Sequence, residues 1–228
     1  MGSNFSLKYN VDIVMCIDAT ASMGSLIDTV KKNAINFYSD IKSEMEKKRK
    51  HIDKLRIRVI IFRDYIADGE DAMLATDFYT LPDDSVTFSE IVNSIEPFGG
   101  GDDPEDGLEA LAYAIKSQWT TEGDKRRHII IVWSDDSTHN IGFAKNVDNY
   151  PEKMASSFDE LTEWWGDKAQ PGIMDNSAKR LLIFAPDVEY WSTISDSWEN
   201  VIHFPSEAGS GLQTLEYSEI LNTIANSI

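Results

Sequence analysis

The chain has little cysteine, little positive charge and no long apolar run. One cysteine, Cys16, stands among 228 residues, so no disulfide can close within the chain and a disulfide-stapled scaffold is excluded. Cys16 sits inside an apolar stretch and is expected to be a small buried hydrophobe. Lys and Arg number 21 against 39 Asp and Glu, a net charge of −18. A non-specific nucleic-acid binder needs a basic face and is excluded; an anionic membrane surface is disfavoured for the same reason. No stretch approaches the ~18 apolar residues of a membrane span. Met1-Gly-Ser-Asn-Phe-Ser-Leu-Lys8 carries no apolar leader, and a cytoplasmic location is the expectation. Nucleotide and nucleophile signatures are missing: there is no Gly-x-Gly-x-x-Gly after the first apolar run, no Gly-x-x-x-x-Gly-Lys-Ser/Thr and no Gly-x-Ser-x-Gly. His51, His128 and His203 have no ligand spacing, which argues against zinc. No internal repeat or low-complexity segment interrupts the chain.

The apolar content, 42%, is enough for the core of one large α/β domain. Apolar runs at Val11–Ile17, Leu55–Phe62, His128–Ser134, Arg180–Ala185 and Val201–Phe204 read as strands, with a short edge strand over Met73–Thr80. Helical periodicity runs from Ser25 to about Lys50, over Ser85–Ile95, onward from Pro104, and over Leu215–Ile228. Ser85 or Thr87 is the expected cap of the second helix, and Glu105 and Asp106 are expected in the first turn of the third, where negative charge is favoured. Alternating strands and helices predict a three-layer α/β/α fold, doubly wound around a mainly parallel six-stranded sheet. The whole chain, 1–228, is expected to form one domain. A long connection at about 136–179, between the fourth and fifth strands, reads as an insertion holding a helix near Pro151–Gly166.

The chemistry gathers where strands end. Asp18-Ala-Thr20-Ala-Ser22 follows the first apolar run directly. A carboxylate and two hydroxyls at alternate positions, beyond the carboxyl end of a buried strand, lie where open α/β sheets bind ligands. Small oxygen donors there suit a hard divalent cation, although the same residues also serve as turn and helix-cap residues. Phe98-Gly-Gly-Gly-Asp102-Asp103-Pro-Glu105 is a glycine turn ending in acids, and His128-Ile-Ile-Ile-Val-Trp133-Ser134-Asp135-Asp136 is a second buried strand ending in acids. An unpaired Asp135 carboxylate at the mouth of that strand would be costly, and a cation removes the cost.

Together the three stretches resemble the metal-ion-dependent adhesion site of von Willebrand factor A domains, in its bacterial type. The resemblance implies a metal site of Asp18, Thr20, Ser22, Asp102 and Asp135. Thr20 replaces the usual Ser and keeps its hydroxyl. Asp102 stands where adhesion members commonly carry Thr, and Asp103 is its rival for the position. Mg²⁺ is the expected ion, with Mn²⁺ or Ca²⁺ as alternatives. Three carboxylates around a doubly charged ion leave the site tending to net negative. Such a site should hold its own metal well and draw an external carboxylate less.

The resemblance implies metal-dependent protein–protein interaction rather than catalysis. The partner would be another protein, one mode being an acidic side chain of that partner at the metal; nucleic acid and membrane are not expected. The alternative is a metal-dependent hydrolase or phosphotransferase at the same edge. Phosphatases with an aspartyl nucleophile use Asp-x-Asp, whereas this chain has Asp18-Ala-Thr20. Trp164 and Trp165 are either anchors for a partner or packing residues of the insertion. His139 reads as a surface histidine, Asp136 as a solvent-facing or turn-capping acid, and Asp64 as a strand-end acid that is a candidate for supporting the site from behind.

Overall fold

The computed structural model describes residues 7–100, 104–210, 212–213 and 215–228. Strand β1 (Tyr9–Asp18) is apolar on both faces, and that fixes it at the centre of a sheet. Strand β2 (Lys54–Phe62) pairs with it in parallel on one side, and β5 (Lys125–Trp133) on the other. Beyond β5 come β6 (Lys179–Pro186) and the edge strand β7 (Val201–Ser206), both parallel. The winding reverses at β1, and ligands of open α/β sheets bind at such switch points. Register makes this concrete. Asp18 lies beside Phe62, and Ile17 beside both Ile61 and Trp133. The first residues beyond β1, β2 and β5 therefore emerge at one level.

Alternation along the strands sorts the core onto two faces. Ile13, Met15, Ile17, Ile57 and Val59 pack beneath α1 (Gly24–Asn33), α2 (Phe37–Lys47), α3 (Ser85–Asn93) and α7 (Tyr217–Ser227). Val14, Cys16, Ile60, Ile130 and Val132 pack beneath α4 (Gly107–Ile115), α5 (Phe158–Trp165) and α6 (Trp191–Ser197). Each fully buried aliphatic side chain contributes roughly 1.5–3 kcal/mol. The three-layer, mainly parallel arrangement is as expected. No helix among the described residues is long and apolar enough to cross a membrane.

Several elements differ from expectation. Among the described residues the sheet has six strands along its path, as expected, and a seventh piece off it beside β2. The edge strand expected over 73–80 is two pieces, β3 (Met73–Ala75) and β4 (Tyr79–Leu81), both antiparallel to β2. Thr76 divides them. Its backbone N–H donates to the Val59 carbonyl at 3.0 Å, while its hydroxyl accepts from the Val59 N–H at 3.1 Å in place of a backbone carbonyl. The helix expected from Ser25 to Lys50 is broken by a 3₁₀ turn at Ala34–Asn36, where Asn33 turns its side chain back onto the Thr29 carbonyl at 2.7 Å. Helix α3 is preceded by Asp84, with no cap from Ser85 or Thr87. Helix α4 starts only at Gly107, because the Glu105 N–H donates to the Ser137 carbonyl and the Asp106 N–H to the Arg63 carbonyl. Helix α5 is shorter than expected, since Ser157 caps it by accepting from the Glu160 N–H. Helix α6 was not expected at all. The long connection that carries α5 runs from β5 to β6.

Candidate functional site

The first loop leaves β1 at Asp18, whose two carboxylate oxygens are both occupied. Oδ1 accepts from the Thr20 N–H at 3.0 Å and the Thr20 hydroxyl at 2.6 Å. Oδ2 accepts from the Ser134 hydroxyl at 2.8 Å, one residue past β5. Thr20 Oγ1 lies 3.3 Å from Ser22 Oγ, and the Ser22 hydroxyl donates to Asp135 Oδ1 at 2.9 Å. Four of the expected site residues, Asp18, Thr20, Ser22 and Asp135, thus form one string of oxygens across the switch point: two hydrogen-bonded pairs, Thr20 on Asp18 and Ser22 on Asp135, whose hydroxyl oxygens face each other. The Thr20 hydroxyl serves this string and makes no cap bond to the following turn. Asp18 and Asp135 are buried. Burial, with a smaller push from the Asp135 charge, raises the Asp18 carboxyl to about 6, against the pull of hydrogen bonds from Thr20 and Ser134.

The second loop is tied to the first by Arg63, which sequence reasoning passed over. Its Nε donates to the carbonyls of Ala19 and Phe98, both at 3.0 Å. Nη1 reaches the Asp71 carbonyl at 2.8 Å and Nη2 the Glu96 carbonyl at 2.7 Å. The guanidinium also stacks 3.9 Å from the Phe98 ring centre. Gly99 and Gly100 adopt φ of +76° and +81°, where a side chain is strained. A Cβ on Gly99 would lie 2.0 Å from Asp68 Oδ1, so this turn needs glycine for space as well. Asp68 accepts from the Gly100 N–H at 3.2 Å. Asp102 and its rival Asp103 lie outside the described residues.

Behind these loops stands a group of buried acids. Glu105 and Asp106 do not fill the first turn of α4 as expected; Asp106 Oδ2 accepts from the Tyr65 N–H at 2.6 Å instead. Glu105 Oε2, Asp106 Oδ1 and Glu109 Oε2 are buried without hydrogen-bond partners among the described residues. Burial, reinforced by Asp18, Asp64, Asp68 and Asp106, pushes Glu105 up to about 9. Burial and then Glu109 push Asp106 up to about 7. His139 is not a surface residue. It is 7% exposed, stacks on Phe143 with ring centres 4.1 Å apart, and places Nε2 3.0 Å from Asp64 Oδ2. Asp64 in turn accepts from the Ile66 and Ala67 amides. Asp136 caps its own turn by accepting from the Ser137 N–H at 2.6 Å. Trp165 is buried, with its indole N–H on the Glu199 carbonyl at 2.9 Å, so it is a packing residue.

The donors fit a hard cation. Asp18, Thr20, Ser22 and Asp135 offer carboxylate and hydroxyl oxygens only, the ligand type that Mg²⁺ prefers. Asp18 makes no ion pair with a basic side chain among the described residues. Positive charge between Asp18 and Asp135 would offset both burial and like-charge repulsion. Among the described residues no group of three or more His, Cys, Asp and Glu is placed to hold a metal. The set in view is two carboxylates joined by two hydroxyls. Ser134 is the supporting residue that sequence reasoning missed; its signal was its place between the strand end and Asp135.

Similarity to known proteins agrees with this layout. The pilus adhesin SpaC of Lactobacillus rhamnosus GG has a similar fold in two crystal structures. In one, the TM-score is 0.53 at 14% identity, covering 97% of this chain and 31% of that one. In the other, an open conformation, the TM-score is 0.51 at 14% identity, covering 97% and 30%. This chain thus spans less than a third of the length of that adhesin. No curated protein sequence matches it. The sequence profile of the von Willebrand factor A domain matches residues 12–147, which include all three loops and more than half of the chain, and the chain belongs to that family.

Proposed function

We propose that the domain is a metal-dependent protein-interaction module. Mg²⁺ is held by Asp18, Thr20, Ser22 and Asp135, with Asp102 from the second loop, and Mn²⁺ or Ca²⁺ are weaker candidates. The single observation that supports the reading is the string from Asp18 through Thr20 and Ser22 to Asp135. It joins residues more than a hundred positions apart through oxygen atoms alone. When bound, the ion supplies a Lewis-acidic point at the surface edge. The chain's own residues hold it: Asp18 anchors, the hydroxyls orient, and Ser134 and Arg63 fix the loops behind. The partner is another protein, presenting an acidic side chain or a carbonyl to that edge.

Calorimetry with Mg²⁺ and Mn²⁺ tests the metal. The wild-type domain is expected to bind one ion, and Asp18→Ala to lose at least tenfold in affinity while keeping its far-UV circular dichroism. No heat and no thermal shift with either ion would refute the site. Capture of partners from lysate with Mg²⁺ and with chelator tests the second half; equal recovery in both would leave the metal out of recognition.

A further inference from the structure

Away from the loops, at the carboxyl end of α4, the surface opens into a cleft of about 780 Å³. Arg56 and Arg58 of β2, Phe78 from the β3–β4 connection, Tyr113 of α4, Lys116 just past its end and Trp164 of α5 form its walls. Its size falls in the range of small-molecule sites, about 300–1,000 Å³. Its chemistry is opposite to that of the protein as a whole, since four basic residues, Arg56, Arg58, Lys116 and Lys153, line it on a chain of net charge −18.

The cations are not equivalent. Arg56 is neutralised by Asp12, at 2.8 and 2.6 Å, and lies 4.4 Å over the Phe78 ring. Lys116 has no carboxylate within ion-pair distance among the described residues. It donates to the Lys153 carbonyl at 2.9 Å and sits 3.5 Å over the Trp164 ring, which holds the charge in place without cancelling it. Arg58 is the odd one. It is half-buried, its Nη1 donates to the Ser117 hydroxyl at 2.8 Å, and its Nε is buried with no partner. It too makes no ion pair among the described residues. In a chain with 39 acids, a half-buried guanidinium left unmatched runs against the composition. Burial accordingly draws Arg58 below the usual guanidinium range. With Arg56 matched by Asp12, the remaining Arg58, Lys116 and Lys153 face two acids that also border the cleft, Asp77 and Glu152. They disfavour a multiply charged guest and leave room for a single negative charge.

We propose that this cleft binds a flat organic monocarboxylate. Its carboxylate meets Arg58 and Lys116, and its apolar body lies among Phe78, Tyr113 and Trp164. The guanidinium fork suits a planar carboxylate, and an aromatic body gains from the ring faces. The site is separate from the metal edge and independent of it.

Calorimetry on the full chain with 2-naphthoate, 2-naphthamide and 2-naphthyl phosphate tests the proposal. One molecule of 2-naphthoate is expected to bind, with the neutral amide and the dianionic phosphate each at least tenfold weaker. Arg58→Gln and Lys116→Gln should each weaken 2-naphthoate at least fivefold, whereas chelator and Asp18→Ala should leave it unchanged. If Arg58→Gln fails to fold, as judged by far-UV circular dichroism, Lys116→Gln and the amide decide. No binding of 2-naphthoate at millimolar concentration overturns the site. So does equal binding of the amide, or full binding to both folded variants. Equal or tighter binding of the phosphate overturns the choice of a monoanion, and loss of binding with chelator overturns the independence from the metal.

Discussion

Ser134 shows what a single hydroxyl does at this edge. It sits one residue before a carboxylate, just past the end of the strand neighbouring Asp18, and reaches across to the Asp18 oxygen that Thr20 leaves free. Removing it strands that oxygen in a buried place. Ser134→Ala is expected to lower Mg²⁺ affinity roughly tenfold and stability by about 1 kcal/mol, read by calorimetry and urea denaturation. Unchanged metal affinity would show that Asp18 needs no help from β5. The two hydroxyls that sequence spacing picked out, Thr20 and Ser22, lie against Asp18 and Asp135 respectively. Spacing revealed them because alternate residues beyond a strand end stay on one side. Ser134 and His139 were not legible in that way. Their roles depend on what lies opposite, β1 for one and Asp64 for the other, and no local pattern records it.

At the scale of elements, the loops are held by Arg63 rather than by their own turns. One side chain donates to four carbonyls drawn from the first loop, the second loop and the 3₁₀ turn before β3. Arg63→Met keeps the stem and removes the donors. It is expected to destabilise the domain by about 1–3 kcal/mol, because four carbonyls, in one buried and three part-buried bonds, lose a charged donor. It should also weaken Mg²⁺ binding, with urea denaturation and calorimetry as the measurements. A stability loss with intact metal affinity would make Arg63 a structural tie only. The central strands were legible because each is a short unbroken apolar run bounded by polar residues. Helix α6 was not, because seven residues give too little periodicity for Trp191 and Ile194 to stand out. The delayed start of α4 was hidden for another reason. Asp106 looks like a helix residue, but the fold gives its amide to Arg63 and its carboxylate to Tyr65.

Across the whole molecule the excess of acids sets the response to pH. Asp106 is held near 7 in the fold against an ordinary 3.8, and Glu105 near 9 against 4.5. Both are raised, so the folded state binds their protons more tightly than the unfolded chain does. The stability they contribute is full below pH about 4 and is lost as pH rises, through 7 for Asp106 and toward 9 for Glu105. Without metal the melting temperature should therefore be higher at pH 5.5 than at pH 8, and repulsion among the surplus acids acts in the same direction. Asp106→Asn keeps an acceptor for the Tyr65 N–H and removes the titration. It is expected to gain about 1–3 kcal/mol at pH 8 and to flatten the dependence between pH 5 and 7, read from melting curves across that range. A melting temperature that rises steadily from pH 5.5 to 8 would show that these acids are not protonated in the fold. The family and the sheet were readable from the order of the apolar runs and the three acidic loops. The division of the edge strand into β3 and β4 was not, because it depends on Thr76 offering its hydroxyl to Val59 in place of a backbone carbonyl.

Those edges have a consequence for assembly. On one border the ladder is broken into two short pieces. On the other, β7 carries Pro205, which has no amide hydrogen to offer a visitor. Neither border presents a full row of open backbone groups, so neighbouring copies cannot be zipped on strand to strand. A partner protein is therefore expected to meet side chains and loop tips here rather than an open strand.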